Sequence, residues 1–168
     1  MRKDFEIEVL GLGHTTGEYP GQFTKPTEML IKFWLNKSSG KVLHLFSGIS
    51  TIGDVRVDID NLNATIKDTV ENYLVNSQEN FEWVILDPPY LVNASNLKQG
   101  YTISRPFSCS VPQRRIFEKW AKEHAKFIIW LDLCAPLPQG FKREKLYFLL
   151  PGGYGSVRVL SILKNVEK

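Results

Sequence analysis

Cysteine is scarce in this 168-residue chain, with Cys109 and Cys134 its only two. Two dispersed thiols exclude a disulfide framework and a cysteine-based metal site, and they fit a reducing cytoplasm. No apolar run approaches the roughly 20 residues of a membrane span. Met1 to Glu8 alternates charged and apolar residues and lacks the apolar core of a signal peptide. A soluble, intracellular protein with no membrane partner is the expectation. Strong charge bias is missing too. Lys and Arg number 21 against 18 Asp and Glu, a formal charge of +3. That balance permits contact with nucleic acid without marking a dedicated binder. What is present is 43% hydrophobic content, on a chain long enough for one well-buried domain and short for two. Residues 1–168 are therefore read as a single domain, with 1–22 as an N-terminal arm.

The informative stretch is Phe81 to Tyr90, Phe-Glu-Trp-Val-Ile-Leu-Asp-Pro-Pro-Tyr. Trp83 to Leu86 has the length and β-branched content of a buried strand. Pro88 and Pro89 end it, because proline neither donates to a ladder nor continues a helix. Asp87 and Tyr90 are thereby placed on a stiff turn at the carboxyl end of a strand, where open α/β sheets bind ligands. These residue types suit methylation of an exocyclic amine on a nucleic-acid base. The lone pair of such a nitrogen is delocalised into the ring. A carboxylate such as Asp87, with the carbonyl freed at the proline turn, accepts the amine hydrogens and biases the nitrogen toward a tetrahedral geometry. Tyr90 would stack on a base swung out of its strand.

Other segments arrange themselves around this corner. Phe5 to Leu10 alternates like an edge strand, and Gly11 to Gly21 is rich in turn formers and reads as a loop. Thr24 or Thr27 can cap a helix through Leu35, with Pro26 in its first turn. Lys41 to Phe46 is a short apolar strand, followed by small residues from Ser47 to Gly53 that let backbone approach a ligand. Asp54 to Asp60 forms a second strand ending in acids, where Asp58, or Asp60 after it, could accept hydrogen bonds from ribose hydroxyls. Ala64 to Lys67 suits a third strand and Glu71 to Ser77 a short helix, with Asp68 between them as a helix cap or a ligand contact. Only ten positions separate Gly48 from Asp58, too few for a crossover helix, so a single turn near Ser50 has to join the two strands. Leu91 to Val111 is a long polar segment interleaving basic and aromatic residues, a possible substrate-recognition loop. Pro112 to Ala125 places Ile116, Phe117, Trp120, Ala121 and His124 on one helical face, and Arg114 and Arg115 beside it could meet phosphates. Lys126 to Leu133 is another strand. Glu144 to Leu150 and Ser156 to Leu163 flank Pro151 to Gly155 as a hairpin.

Asp87-Pro88-Pro89-Tyr90 resembles the catalytic motif of S-adenosylmethionine-dependent amino-methyltransferases, above all those acting on adenine N6 in DNA. Phe23-Thr24-Lys25-Pro26 resembles the family's Thr-x-Lys-Pro segment, which helps hold the methyl donor. Leu45 to Gly48 resembles its first cofactor motif, with His44 replacing a common acid and Ser50 a usual glycine. The resemblance implies a Rossmann-like class I methyltransferase fold, an α/β domain whose mostly parallel central sheet closes with a C-terminal antiparallel hairpin. It further implies S-adenosylmethionine as cofactor and nucleic acid as partner, DNA ahead of RNA. By that resemblance Asp87, Pro88, Pro89 and Tyr90 are catalytic. Phe23, Thr24, Lys25, Pro26, His44, Phe46, Ser47, Gly48, Asp58 and Asp68 hold the cofactor, the last through its adenine. The two cysteines are expected to be structural, since direct transfer to an amine needs no thiol.

Overall fold

Apolar runs of four to eight residues with β-branched character form the strands, and amphipathic segments between them form the helices. The computed structural model describes residues 5–13, 23–89, 111–152 and 156–168. Along them run β1 (Glu6–Gly13), α1 (Lys25–Leu35), β2 (Val42–Leu45), β3 (Val55–Asp58), β4 (Ile66–Lys67), α2 (Val70–Asn76) and β5 (Phe81–Leu86). Then follow α3 (Val111–His124), β6 (Ala125–Asp132), β7 (Phe141–Pro151) and β8 (Arg158–Asn165). The strands make one sheet in the order β1-β7-β8-β6-β5-β2-β3-β4.

Strands β2 to β6 are parallel to their neighbours among themselves. The hairpin β7–β8 joins antiparallel to β6, and β1 adds to its outer edge parallel to β7. From β2 the chain steps outward to β3 and β4, then returns to lay β5 on the other side of β2. This reversal is the topological switch point, and the crevice beyond the strand ends there is the expected place for a ligand.

Both faces of the sheet are covered. Phe117, Trp120 and Ala121 of α3, with Val70, Tyr73 and Leu74 of α2, pack on Leu43, Leu45, Val84, Leu86, Ile128 and Trp130. On the opposite face Ile31 of α1 and Phe23 meet Ile85, Ile129, Leu131, Leu149 and Leu160. Trp83 to Leu86 is buried on both sides, as a central parallel strand requires, and each such side chain contributes about 1.5–3 kcal/mol.

Element bounds differ from the sequence expectation in instructive places. Gly11 to Gly13 are strand, not loop: β1 keeps pairing with β7 as far as Pro151 through a register shift that Gly13, at φ 67°, absorbs. The third strand shrinks to Ile66–Lys67. Ala125, assigned to the preceding helix, starts β6 directly after His124. Ile116 lies at the margin of its helical face and stays 36% exposed. Strand β7 runs longer than expected, from Phe141 to Pro151, while β8 is displaced by two residues to Arg158–Asn165, and residues 153–155 of the turn lie outside the described residues. Cys134 is exposed and fills no core position, while Cys109 lies outside the described residues. Among the described residues no helix is long and apolar enough to cross a membrane, and no group of His, Cys, Asp or Glu is arranged to hold a metal ion.

Candidate active site

Leu45 of β2 and Leu86 of β5 are register partners, so Phe46 and Asp87 leave the sheet side by side at the switch point. A cavity of about 220 Å3 opens there, lined by Phe23, Glu28, Phe46, Ser47, Ile49, Ser50, Thr51 and Asp87. Pro88, directly after Asp87, is buried and anchors the corner, while Asp87 itself is half-buried.

The turn after β2 is braced without a helix. Ser47 N donates to Val57 O at 3.1 Å and Ser50 N to Ser47 O at 3.0 Å. Asn63 Nδ2 donates to Ile49 O at 2.8 Å, and Ile52 N to Ser50 Oγ at 3.2 Å. Phe46 takes the left-handed conformation at φ 58°, which costs a non-glycine residue energy and is tolerated where the surroundings over-determine it. Gly48, at φ 51°, has open space where a side chain would begin. Ser50, which stands in place of the motif's usual glycine, accepts a hydrogen bond that closes the turn.

Asp58 is the strongest brace. Its Oδ2 accepts from Gly48 N at 2.8 Å, and its Oδ1 accepts from Asp60 N and Asn61 N, both at 3.3 Å. The carboxylate is only 9% exposed and does not line the cavity. With too few residues for a helix between β2 and β3, the amide of Gly48 needs an acceptor from elsewhere, and Asp58 supplies it.

His44 lies beneath the turn, fully buried. Its Nδ1 donates to Ile52 O at 3.1 Å and its ring stacks on Phe23, centroids 5.5 Å apart and planes 3° from parallel. Burial pulls its pKa from the ordinary 6.5 to about 4, against the opposing effect of the Ile52 bond. It is therefore neutral at pH 7, the Nδ1–H tautomer, and supports one cavity wall, Phe23, from behind without lining the cavity.

Of the residues expected to form the site, the structure brings Phe23, Phe46, Ser47 and Asp87 around one cavity, with Gly48 in the turn that forms its wall. Thr24 accepts from Thr27 N at 3.3 Å as the N-cap of α1, and Lys25 and Pro26 are exposed in its first turn. Asp68 also stays outside the walls: its carboxylate accepts from Thr69 N at 2.7 Å and Asn72 Nδ2 at 2.7 Å, where α2 begins with Thr69 as cap. Tyr90 and the expected recognition loop, up to residue 110, lie outside the described residues. Val111 and Pro112 already belong to α3, whose first turns carry Arg114 and Arg115. Sequence reasoning missed Glu28, Ile49, Ser50 and Thr51 as lining residues. Glu28 could have been found from its place one helical turn after the Thr24 cap.

The walls fit the cofactor that the motifs imply. Ser47 Oγ is buried with no hydrogen-bond partner among the described residues, and Ser47 lines the cavity, so a polar ligand atom there would satisfy it. Glu28 and Asp87 supply negative charge suited to a cationic donor.

Sheet order, closing hairpin and switch-point cavity together define a Rossmann-like class I methyltransferase fold. A solved structure of Escherichia coli yhhF, provisionally assigned as a methyltransferase, superposes over 90% of this chain and 90% of its own at TM-score 0.53 and 12% identity. A conserved hypothetical protein of Streptococcus pyogenes gives a looser superposition, TM-score 0.46 at 17% identity, over 74% of this chain and 86% of its own. No protein-family model matches the sequence, and no curated protein matches it significantly.

Proposed function

We propose that this chain is an S-adenosylmethionine-dependent methyltransferase acting on an exocyclic amine of a nucleic-acid base, with adenine N6 in DNA as the foremost target. The observation that carries this reading is the cavity shared by Asp87 and the turn after β2 at the switch point. Ser47 and the backbone around Gly48 would hold the cofactor, and Phe23 and Phe46 would wall it. When bound, S-adenosylmethionine supplies an electrophilic methyl group. Asp87 and the carbonyl of Pro88 would accept the amine hydrogens and direct the nitrogen lone pair toward the cavity. Enclosure by Phe23 and Phe46 would keep water from the reacting atoms. The role in base stacking belongs, in this reading, to Tyr90.

Purified protein given methyl-labelled cofactor with DNA and, separately, with RNA tests the proposal, followed by nucleoside analysis. N6-methyl-2′-deoxyadenosine from DNA is the expected product. N2-methylguanosine or N6-methyladenosine in RNA would move the substrate assignment to RNA. Asp87→Ala should lower turnover by at least about 100-fold, the scale of losing one oriented electrostatic contact, while S-adenosylhomocysteine still binds. Unchanged turnover would remove Asp87 from the reaction. No labelled product on either nucleic acid, with no binding of S-adenosylhomocysteine, would leave a non-catalytic module.

A further inference from the structure

Two carboxylates line the cavity, Glu28 and Asp87. If the methyltransferase reading holds, and this inference rests on it, Asp87 faces the amine that receives the methyl group. S-adenosylmethionine also carries an α-ammonium group at its amino-acid end, which needs an anionic or strongly accepting partner once drawn out of water. His44 cannot provide it. The imidazole on the strand that feeds the turn is neutral and does not line the cavity: Nδ1 donates to Ile52 O, the ring stacks on Phe23, and Nε2 is buried without a hydrogen-bond partner among the described residues. The remaining charged candidate among the described lining residues is Glu28.

Its position suits that use. Glu28 stands in the first turn of α1, which follows directly on Phe23, the aromatic wall. Its side chain is 39% exposed and pairs with Lys32 Nζ at 2.5 Å through Oε1. A carboxylate offers about four acceptor sites, so one partner on the solvent side leaves capacity toward the cavity. Partial exposure also spares the protein the cost of a fully buried charge. The orphaned Ser47 Oγ points independently to a polar ligand in the same cavity. We propose that Glu28 receives the donor's ammonium group and so selects an intact amino-acid tail.

Calorimetric titration tests this on the full chain with S-adenosylhomocysteine and with its analogue in which hydrogen replaces the amino group. Wild type should prefer the amino ligand by about 10-fold, the effect of one charge-assisted contact at a partly exposed site. Glu28→Gln should lose about that factor for S-adenosylhomocysteine and none for the deamino analogue, so that the preference disappears. Glu28→Asp should restore part of it, and Lys32→Gln, which frees the carboxylate, should keep or widen it. Equal weakening of both ligands in Glu28→Gln, or a preference that survives the substitution, overturns the assignment. Absence of binding by wild type to either ligand sinks the methyltransferase reading itself, a separate outcome.

Discussion

His44 shows how one side chain can serve a site it does not enter. Its Nδ1–H holds the Ile52 carbonyl and its ring supports Phe23, so the end of the turn and the aromatic wall share one anchor. The same burial makes folding pH-dependent. The folded-state pKa lies near 4 and the unfolded value near 6.5, so below about pH 6.5 the unfolded chain binds a proton that the folded chain refuses. Stability from this group is full above that value, falls as pH drops toward 4, and levels off below. Linkage sets the loss at about 2 kcal/mol between about pH 7 and pH 5. His44→Asn keeps an N–H donor for Ile52 and has no proton to gain. Urea unfolding of both proteins at the two pH values should show the wild type losing about 2 kcal/mol more than the variant. Parallel losses would mean that His44 is solvated in solution.

Among the elements, the link from β2 to β3 departs furthest from an ordinary crossover. It replaces a helix with a hydrogen-bonded turn clamped to β3 through Ser47 and Gly48 and to Asn63 through Ile49. Gly53 ends it at φ 100°, and a Cβ there would stand 3.3 Å from His44 Cβ and 3.4 Å from Val42 O. Gly53→Ala therefore meets both backbone strain and a tight contact, and should cost about 1–3 kcal/mol in denaturant unfolding. It should also weaken S-adenosylhomocysteine binding, because Ile49, Ser50 and Thr51 of the same turn line the cavity. Unchanged stability would show that the turn has another conformation of similar energy. The Thr24 cap belongs to this scale as well. Phe23-Thr24-Lys25-Pro26 resembles a cofactor segment in the sequence; in the structure Thr24 accepts from Thr27 N to start α1, and Phe23 and Glu28 line the cavity on either side of it.

At the scale of the molecule, stability is graded across the sheet. Strands β5, β6 and β8 are buried along most of their length, whereas β1 pairs on one edge only and exposes most of its residues. Amide exchange should accordingly run fastest in Glu6 to Gly13 and slowest in Val84 to Leu86 and Ile128 to Leu131, as local opening follows buried contact. Mass spectrometry of exchanged peptides checks the order, and protection of β1 equal to that of β5 would contradict it. The grading keeps the switch point on the rigid part of the sheet, since β2 and β5 sit among its inner strands.

The residue pattern alone determined the central strand, the proline corner and the closing hairpin. Each follows from local chemistry: a run of buried β-branched and aromatic residues, two prolines without N–H donors, and a turn between two apolar runs. It also marked Asp87 and the turn from Phe46 to Gly48, because the end of a strand is legible from the residues that terminate it. Which side chains face one another was not legible. That the Asp58 carboxylate braces Gly48 N, and that His44 lies under the turn and not in the cavity wall, could be read only from the fold. Glu28 gains its interest only when α1 folds beside β5. Those assignments depend on contacts between residues distant in sequence, which the packing of helix on sheet decides and local periodicity does not encode.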